Sequence, residues 1–167
     1  MKNRTKKLTV LAMIFSFALI LSFVESRIPA LVAIPGVKVG LANIAVIFAL
    51  YRLGPREAAA VSILRVLTVS MLFGSVASMI YSITGAVLSL GVMILLKRFT
   101  PLHEVTVSIC GGVLHNVGQI IAACFMLSTN VVFYYLPFLL ISGTLAGIAI
   151  GVASALLIKR IPVKDFY

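Results

Sequence analysis

Acidic residues are scarce: Glu25, Glu57, Glu104 and Asp165 are the only four among 167. They fall at segment ends and in loops. No two of them form a general acid/base pair, and no carboxylate cluster is available for magnesium. No phosphate-cradling GxxxxGK[ST] loop occurs, so the chain does not hydrolyse ATP by itself. No Ser-His-Asp arrangement is present either, and the expectation is a protein that is not an enzyme. Cysteine is limited to Cys110 and Cys124, both inside one apolar run. As helix they would stand about 21 Å apart at 1.5 Å per residue, too far for a disulfide. Without CxxC or Cys/His ligand spacing, neither a metal site nor a bound cofactor is expected. Charge of any kind is thin, at 11% of residues against 62% hydrophobic, with a mean hydropathy of +1.19. A soluble domain of this size needs far more charge to cover its surface. The chain belongs in a membrane.

What charge there is carries a net of +10. The basic residues sit in short clusters between apolar runs, with no continuous basic face and no aromatic-interleaved stripe, so nucleic acid is not the expected partner. Six spans are expected in one all-α domain covering 1–167: roughly 8–25, 39–53, 56–74, 77–96, 105–128 and 136–158. Turn signals at Pro35-Gly36, Gly54-Pro55, Gly74-Ser75, Pro101 and Thr129-Asn130 separate them. Phe133-Tyr134-Tyr135 reads as an interfacial aromatic belt. The first run follows Lys2, Arg4, Lys6 and Lys7 as a signal peptide would. It is long enough to span, however, and Glu25-Ser26-Arg27 is a poor cleavage site, so a retained helix is expected.

Basic residues set the orientation. With the N-terminus inside, the cytoplasmic segments hold Lys2, Arg4, Lys6, Lys7, Arg52, Arg56, Lys97, Arg98, Lys159, Arg160 and Lys164, and the outer segments hold only Arg27 and Lys38. Eleven against two places both termini in the cytoplasm and requires an even number of spans. The outer segment 26–38 is long and holds two prolines near a glycine. It reads either as a lid or as plain connection.

Arg65 is left over inside span three. A guanidinium facing lipid costs several kcal/mol, so it must face the protein interior or a wet cavity. It reads either as an anion-binding group or as a structural arginine. Span five supplies polar neighbours at similar depth: His115, Asn116 and Gln119, with His115 and Gln119 four apart on one face. These read either as ligand contacts or as hydrogen-bonding glue between helices. Lys38, Asn43, Tyr81 and Ser82 would ring the outward mouth of the same cavity. Ser142, Gly143, Gly147 and Gly151 form a small-residue stripe on span six, expected as a packing face. Ala12 and Ser16 make a fainter pair on span one.

Several motifs together resemble one membrane family. They are Glu25-Ser-Arg-Ile-Pro29, Pro35-Gly-Val-Lys-Val-Gly-Leu-Ala-Asn43, Leu64-Arg65, Phe73-Gly-Ser75, Tyr81-Ser82 and His115-Asn116-x-Gly118-Gln119. The family is named heptaprenyl diphosphate synthase component I, or Gx transporter, and the resemblance runs from about residue 10 to 155. It is similar in turn to the substrate-binding S components of energy-coupling-factor vitamin transporters. That resemblance implies a six-helix bundle in the cell membrane with an outward-facing site capped by the loop after helix one. It also implies a transmembrane coupling subunit meeting small residues of helix one, here Ala12 and Ser16, and separate ATPases. The synthase name conflicts with the chemistry of prenyl diphosphate synthases, which bind magnesium-diphosphate through aspartate-rich motifs; this chain has a single aspartate, Asp165.

Two functions follow. The first is capture of a small vitamin- or cofactor-type molecule, anionic or polar, for uptake energised by other subunits. The second is a non-catalytic membrane partner or scaffold of an isoprenoid- or quinone-synthesis or flavin-linked electron-transfer complex. A stand-alone carrier fits less well, since no internal repeat is visible. The orientation makes a direct prediction. Alkaline phosphatase fused after Asn130 is active, whereas a fusion after Arg98 is inactive; the reverse pattern contradicts it.

Overall fold

The computed structural model describes residues 2–27 and 40–161. Among them the chain forms six α-helices and no strand: α1 Lys2–Arg27, α2 Asn43–Arg52, α3 Pro55–Phe73, α4 Val76–Phe99, α5 Glu104–Leu127 and α6 Leu136–Arg160. A 3-10 turn, Val131–Tyr135, leads into α6 and leaves its three aromatic residues exposed. Lys38 and most of the 26–38 segment lie outside the described residues.

Local chemistry accounts for the helix ends. Gly54, at φ 132°, turns the chain into α3, whose first residue is Pro55, a position where the missing N–H is no loss. Ser75 caps α4 through a reciprocal box: its hydroxyl accepts from the Ser78 N–H at 3.2 Å and its own N–H donates to Ser78 Oγ at 2.9 Å. Lys97 and Arg98 close α4 where cations complement the helix dipole. Ser128 ends α5 in a left-handed conformation at φ 48°.

Four helical segments, Arg4–Arg27, Val76–Phe99, Glu104–Leu127 and Val131–Arg160, are long and apolar enough to cross a membrane. The other two differ for separate reasons. α3 has 19 residues but carries Arg56, Glu57 and Arg65. α2 is shorter than the 39–53 span expected from sequence. Gly40 takes φ 82°, and the carbonyls of Gly40, Leu41 and Ala42 accept from Asn43, Ile44 and Ala45 in a tight turn, so the helix starts at Asn43. Its 10 residues rise about 15 Å, half of a hydrocarbon core of about 30 Å.

That short helix is the centre of the molecule. Every side chain from Ala45 to Leu50 is buried, against α1, α3 and α6. Its inner end is tied down by Lys97, which donates to the Leu50 carbonyl and lies 4.8 Å from the Tyr51 ring centroid. Nearby, Lys7 of α1 pairs with Glu57 of α3.

The other half of the bundle is a slab in which α5 packs between α4 and α6. Glycines set the spacing. A Cβ on Gly147 would fall 2.6 Å from the Ile109 Cα, and one on Gly151 would fall 2.8 Å from the Val105 Cα. The stripe on α6 is therefore a face against which the α5 backbone lies directly, the close approach that small residues permit in membranes. Gly118 and Gly85 do the same between α5 and α4, where an added Cβ would come within 2.9 Å of backbone. α1 stands at the other edge, with Ala12 and Ser16 on its exposed side.

These contacts predict a contrast within one residue type. Gly147→Val should destabilise the detergent-solubilised protein by about 1–3 kcal/mol through overpacking. Gly91→Ala, where nothing lies within 4 Å of the new methyl group, should leave the melting temperature unchanged or raise it. Equal melting temperatures for the two variants would contradict the packing described.

Candidate functional site

The helices enclose a polar cavity of about 40 Å³ at the N-terminal end of α2. Side chains from the neighbouring helices line it beside the start of α2. α1 contributes Ser22 and Glu25, which share a buried face with Ala18 at helical spacing. α3 contributes Arg65, Val66 and Val69 from the face that also buries Ala58, Val61 and Ser62. Ser82 comes from α4, His115 and Gln119 from α5, and Gly40 and Asn43 from the start of α2.

Arg65 is only 9% exposed. Its Nη2 lies 3.5 Å from the Asn43 Oδ1, a long contact, and its Nε has no hydrogen-bond partner among the described residues. The same holds for His115 Nδ1 and Ser22 Oγ. Glu25 is 6% exposed and accepts a hydrogen bond from the Gly40 N–H, joining the outer end of α1 to the turn before α2. The imidazole of His115 has room because residue 85 is glycine; a Cβ there would meet the ring at 3.0 Å. Unpartnered buried polar atoms are expensive, so their concentration around one hollow marks a place where further hydrogen bonds are to be made.

Five of the residues singled out from sequence meet here: Arg65, His115, Gln119, Asn43 and Ser82. Asn116 does not. Its Nδ2 donates to the Leu139 carbonyl at 2.8 Å and lies 3.5 Å from Ser142 Oγ, so it joins α5 to α6. Adjacent helical residues point about 100° apart, which is why His115 and Asn116 serve different interfaces. Tyr81 does not line the cavity. Lys38 lies outside the described residues, and Ala12 and Ser16 face away from the site, exposed on α1.

Two residues missed at the sequence level matter: Glu25, grouped with the scattered acids, and Ser22. The signal was their spacing. Ala18, Ser22 and Glu25 form one stripe, and Glu25 opens a motif carrying the family resemblance. Glutamate near the end of an apolar run reads most simply as an interfacial charge, which concealed it.

No curated protein and no solved structure matches the chain. A family model does, over residues 14–157, from the first buried residue of α1 to the final turns of α6. The chain is a member of the heptaprenyl diphosphate synthase component I family.

Proposed function

We propose that this protein is the substrate-binding membrane subunit of an uptake system for a small polar molecule, similar to the S components of energy-coupling-factor transporters. Its six helices cross the cell membrane with both termini in the cytoplasm, α2 covering the inner part of its crossing. In that orientation Glu25, Asn43 and Ser82 lie toward the outer ends of their helices, with Gly40 in the turn before α2. The hollow then faces the outside. The observation that carries this reading is the convergence of five helices on one buried guanidinium beside unpartnered imidazole and hydroxyl atoms. Ionisable and polar groups at membrane depth that converge on a cavity mark a ligand pathway. Arg65, His115, Gln119, Asn43 and Ser82 contact the ligand, and Glu25 joins them. In this reading Ala12 and Ser16, exposed on α1, meet a coupling subunit, and separate ATPases supply the energy.

The family description favours a second reading. It describes a component of a prenyl diphosphate synthase, which suits a non-catalytic membrane partner of that enzyme. Co-purification separates the two readings. Coupling ATPases recovered with the chain favour uptake, and a prenyl synthase or redox enzyme favours the scaffold.

The uptake reading predicts that protein purified from its own membrane retains a small molecule visible by native mass spectrometry. Arg65→Ala should retain at least about tenfold less of it, the loss of one charge-assisted hydrogen-bonding group. Asn116→Ala should retain as much as wild type while losing about 1 kcal/mol of stability, since it removes only an interhelical bond. Full retention by folded Arg65→Ala would remove the arginine from the site.

A further inference from the structure

Resting on the uptake reading, the charges around the hollow say what kind of molecule fits it. A guanidinium cannot shed its proton in a protein, so Arg65 carries a full positive charge inside the bundle. An isolated buried charge is too costly to leave uncompensated. Among the described residues lining the cavity, Glu25 is the one acid and Arg65 the one arginine or lysine. Its carboxylate is buried, accepts the Gly40 N–H, and sits at the N-terminal end of α2, where the partial positive charge of the helix favours the ionised form. The remaining polar lining contributes hydrogen-bonding dipoles. Among the described residues the lining therefore sets one negative charge against one positive charge before any ligand arrives.

We infer that the site takes a net-neutral headgroup presenting an acceptor to Arg65 and a donor to Glu25 side by side, and that it discriminates against free anions such as phosphate or diphosphate. An anion entering beside Arg65 meets the Glu25 carboxylate in a medium of low polarity, and like charges there repel strongly. A headgroup with both polarities meets the guanidinium and the carboxylate at once without adding net charge. Space agrees with this. A cavity of about 40 Å³ holds roughly three waters, enough for a compact polar headgroup and not for a whole vitamin-sized molecule, so the rest of the ligand lies outside it. Two sources share the required chemistry: a zwitterion of the amino-acid type, and the edge of a neutral heterocycle in which an N–H adjoins a carbonyl. The sequence alone had suggested that Arg65 selects an anion; the carboxylate beside it changes the selection.

The test uses the full chain in nanodiscs, titrated separately with glycine, uracil and inorganic phosphate. Wild type binds glycine or uracil at least about tenfold more tightly than phosphate, and which of the two it prefers identifies the source. Glu25→Gln keeps the size of the side chain and an acceptor for Gly40 but leaves Arg65 uncompensated. In that variant phosphate affinity rises about tenfold or more, and affinity for the preferred neutral probe falls. Phosphate binding wild type more tightly than both neutral probes overturns the inference while leaving the uptake reading standing. Unchanged phosphate affinity in folded Glu25→Gln also overturns it. If the variant does not fold, the wild-type ranking decides. Silence from all three probes overturns the inference as well, and the retained molecule then decides the uptake reading separately.

Discussion

A guanidinium is charged at every pH a cell meets, and at Arg65 that charge is held within an apolar bundle with 9% of the residue exposed. The surrounding structure follows from accommodating it. Arginine could not remain there facing lipid, and it could not remain in a dry core without a counter-charge. The bundle answers with Glu25 from α1, Asn43 from the head of α2, and a cavity in place of tight packing. The carboxylate accepts the Gly40 N–H in turn, so it also joins the outer end of α1 to the turn before α2.

Room for the hollow comes from two unlike halves of the molecule. On one side α4, α5 and α6 approach until backbone meets backbone at glycines 85, 112, 118, 143, 147 and 151, leaving little freedom to slide. That slab holds His115 and Gln119 in register. On the other side α2 is half the length of a membrane crossing, and α1 and α3 lean around its buried aliphatic residues. The cavity lies at the N-terminal end of this short helix, lined by Gly40 and Asn43 there. Lys97 and Lys7 fasten the inner end of this half, at Leu50 and Glu57, away from the site. Rigid slab and short helix together bring polar groups from five helices to one hollow, where Arg65 Nε, His115 Nδ1 and Ser22 Oγ have no hydrogen-bond partner among the described residues.

Much of this was legible in the sequence, and the limits have physical causes. Apolar runs broken by Gly-Pro, Gly-Ser and Lys-Arg-Phe-Thr-Pro located five helices to within a few residues, apart from the basic N-terminal end of α1, because membrane helices are bounded by the loss of apolar character itself. The shortness of α2 was not legible. Gly40, Leu41 and Ala42 are as apolar as the helix they precede, and only the positive φ at Gly40 separates turn from helix. Arg65 and the His115/Gln119 pair were found because a charged residue and a four-residue polar spacing are visible in one dimension. Asn116 was misplaced because one residue along a helix is a different face. Glu25 was overlooked because its partner lies 40 residues away and no local pattern links them. Its presence adds a negative charge to a lining in which the sequence had shown only the positive one.

The central claim is that Glu25 and Arg65 compensate each other's charge across the hollow, and a double-mutant cycle on thermal stability measures that directly. Glu25→Gln and Arg65→Gln should each destabilise the protein, because each leaves one buried charge alone. Combined, they should cost less than the sum of the two, with a coupling of about 0.5–3 kcal/mol. Strictly additive losses would mean that the two groups do not sense each other, and the neutralised hollow would not exist.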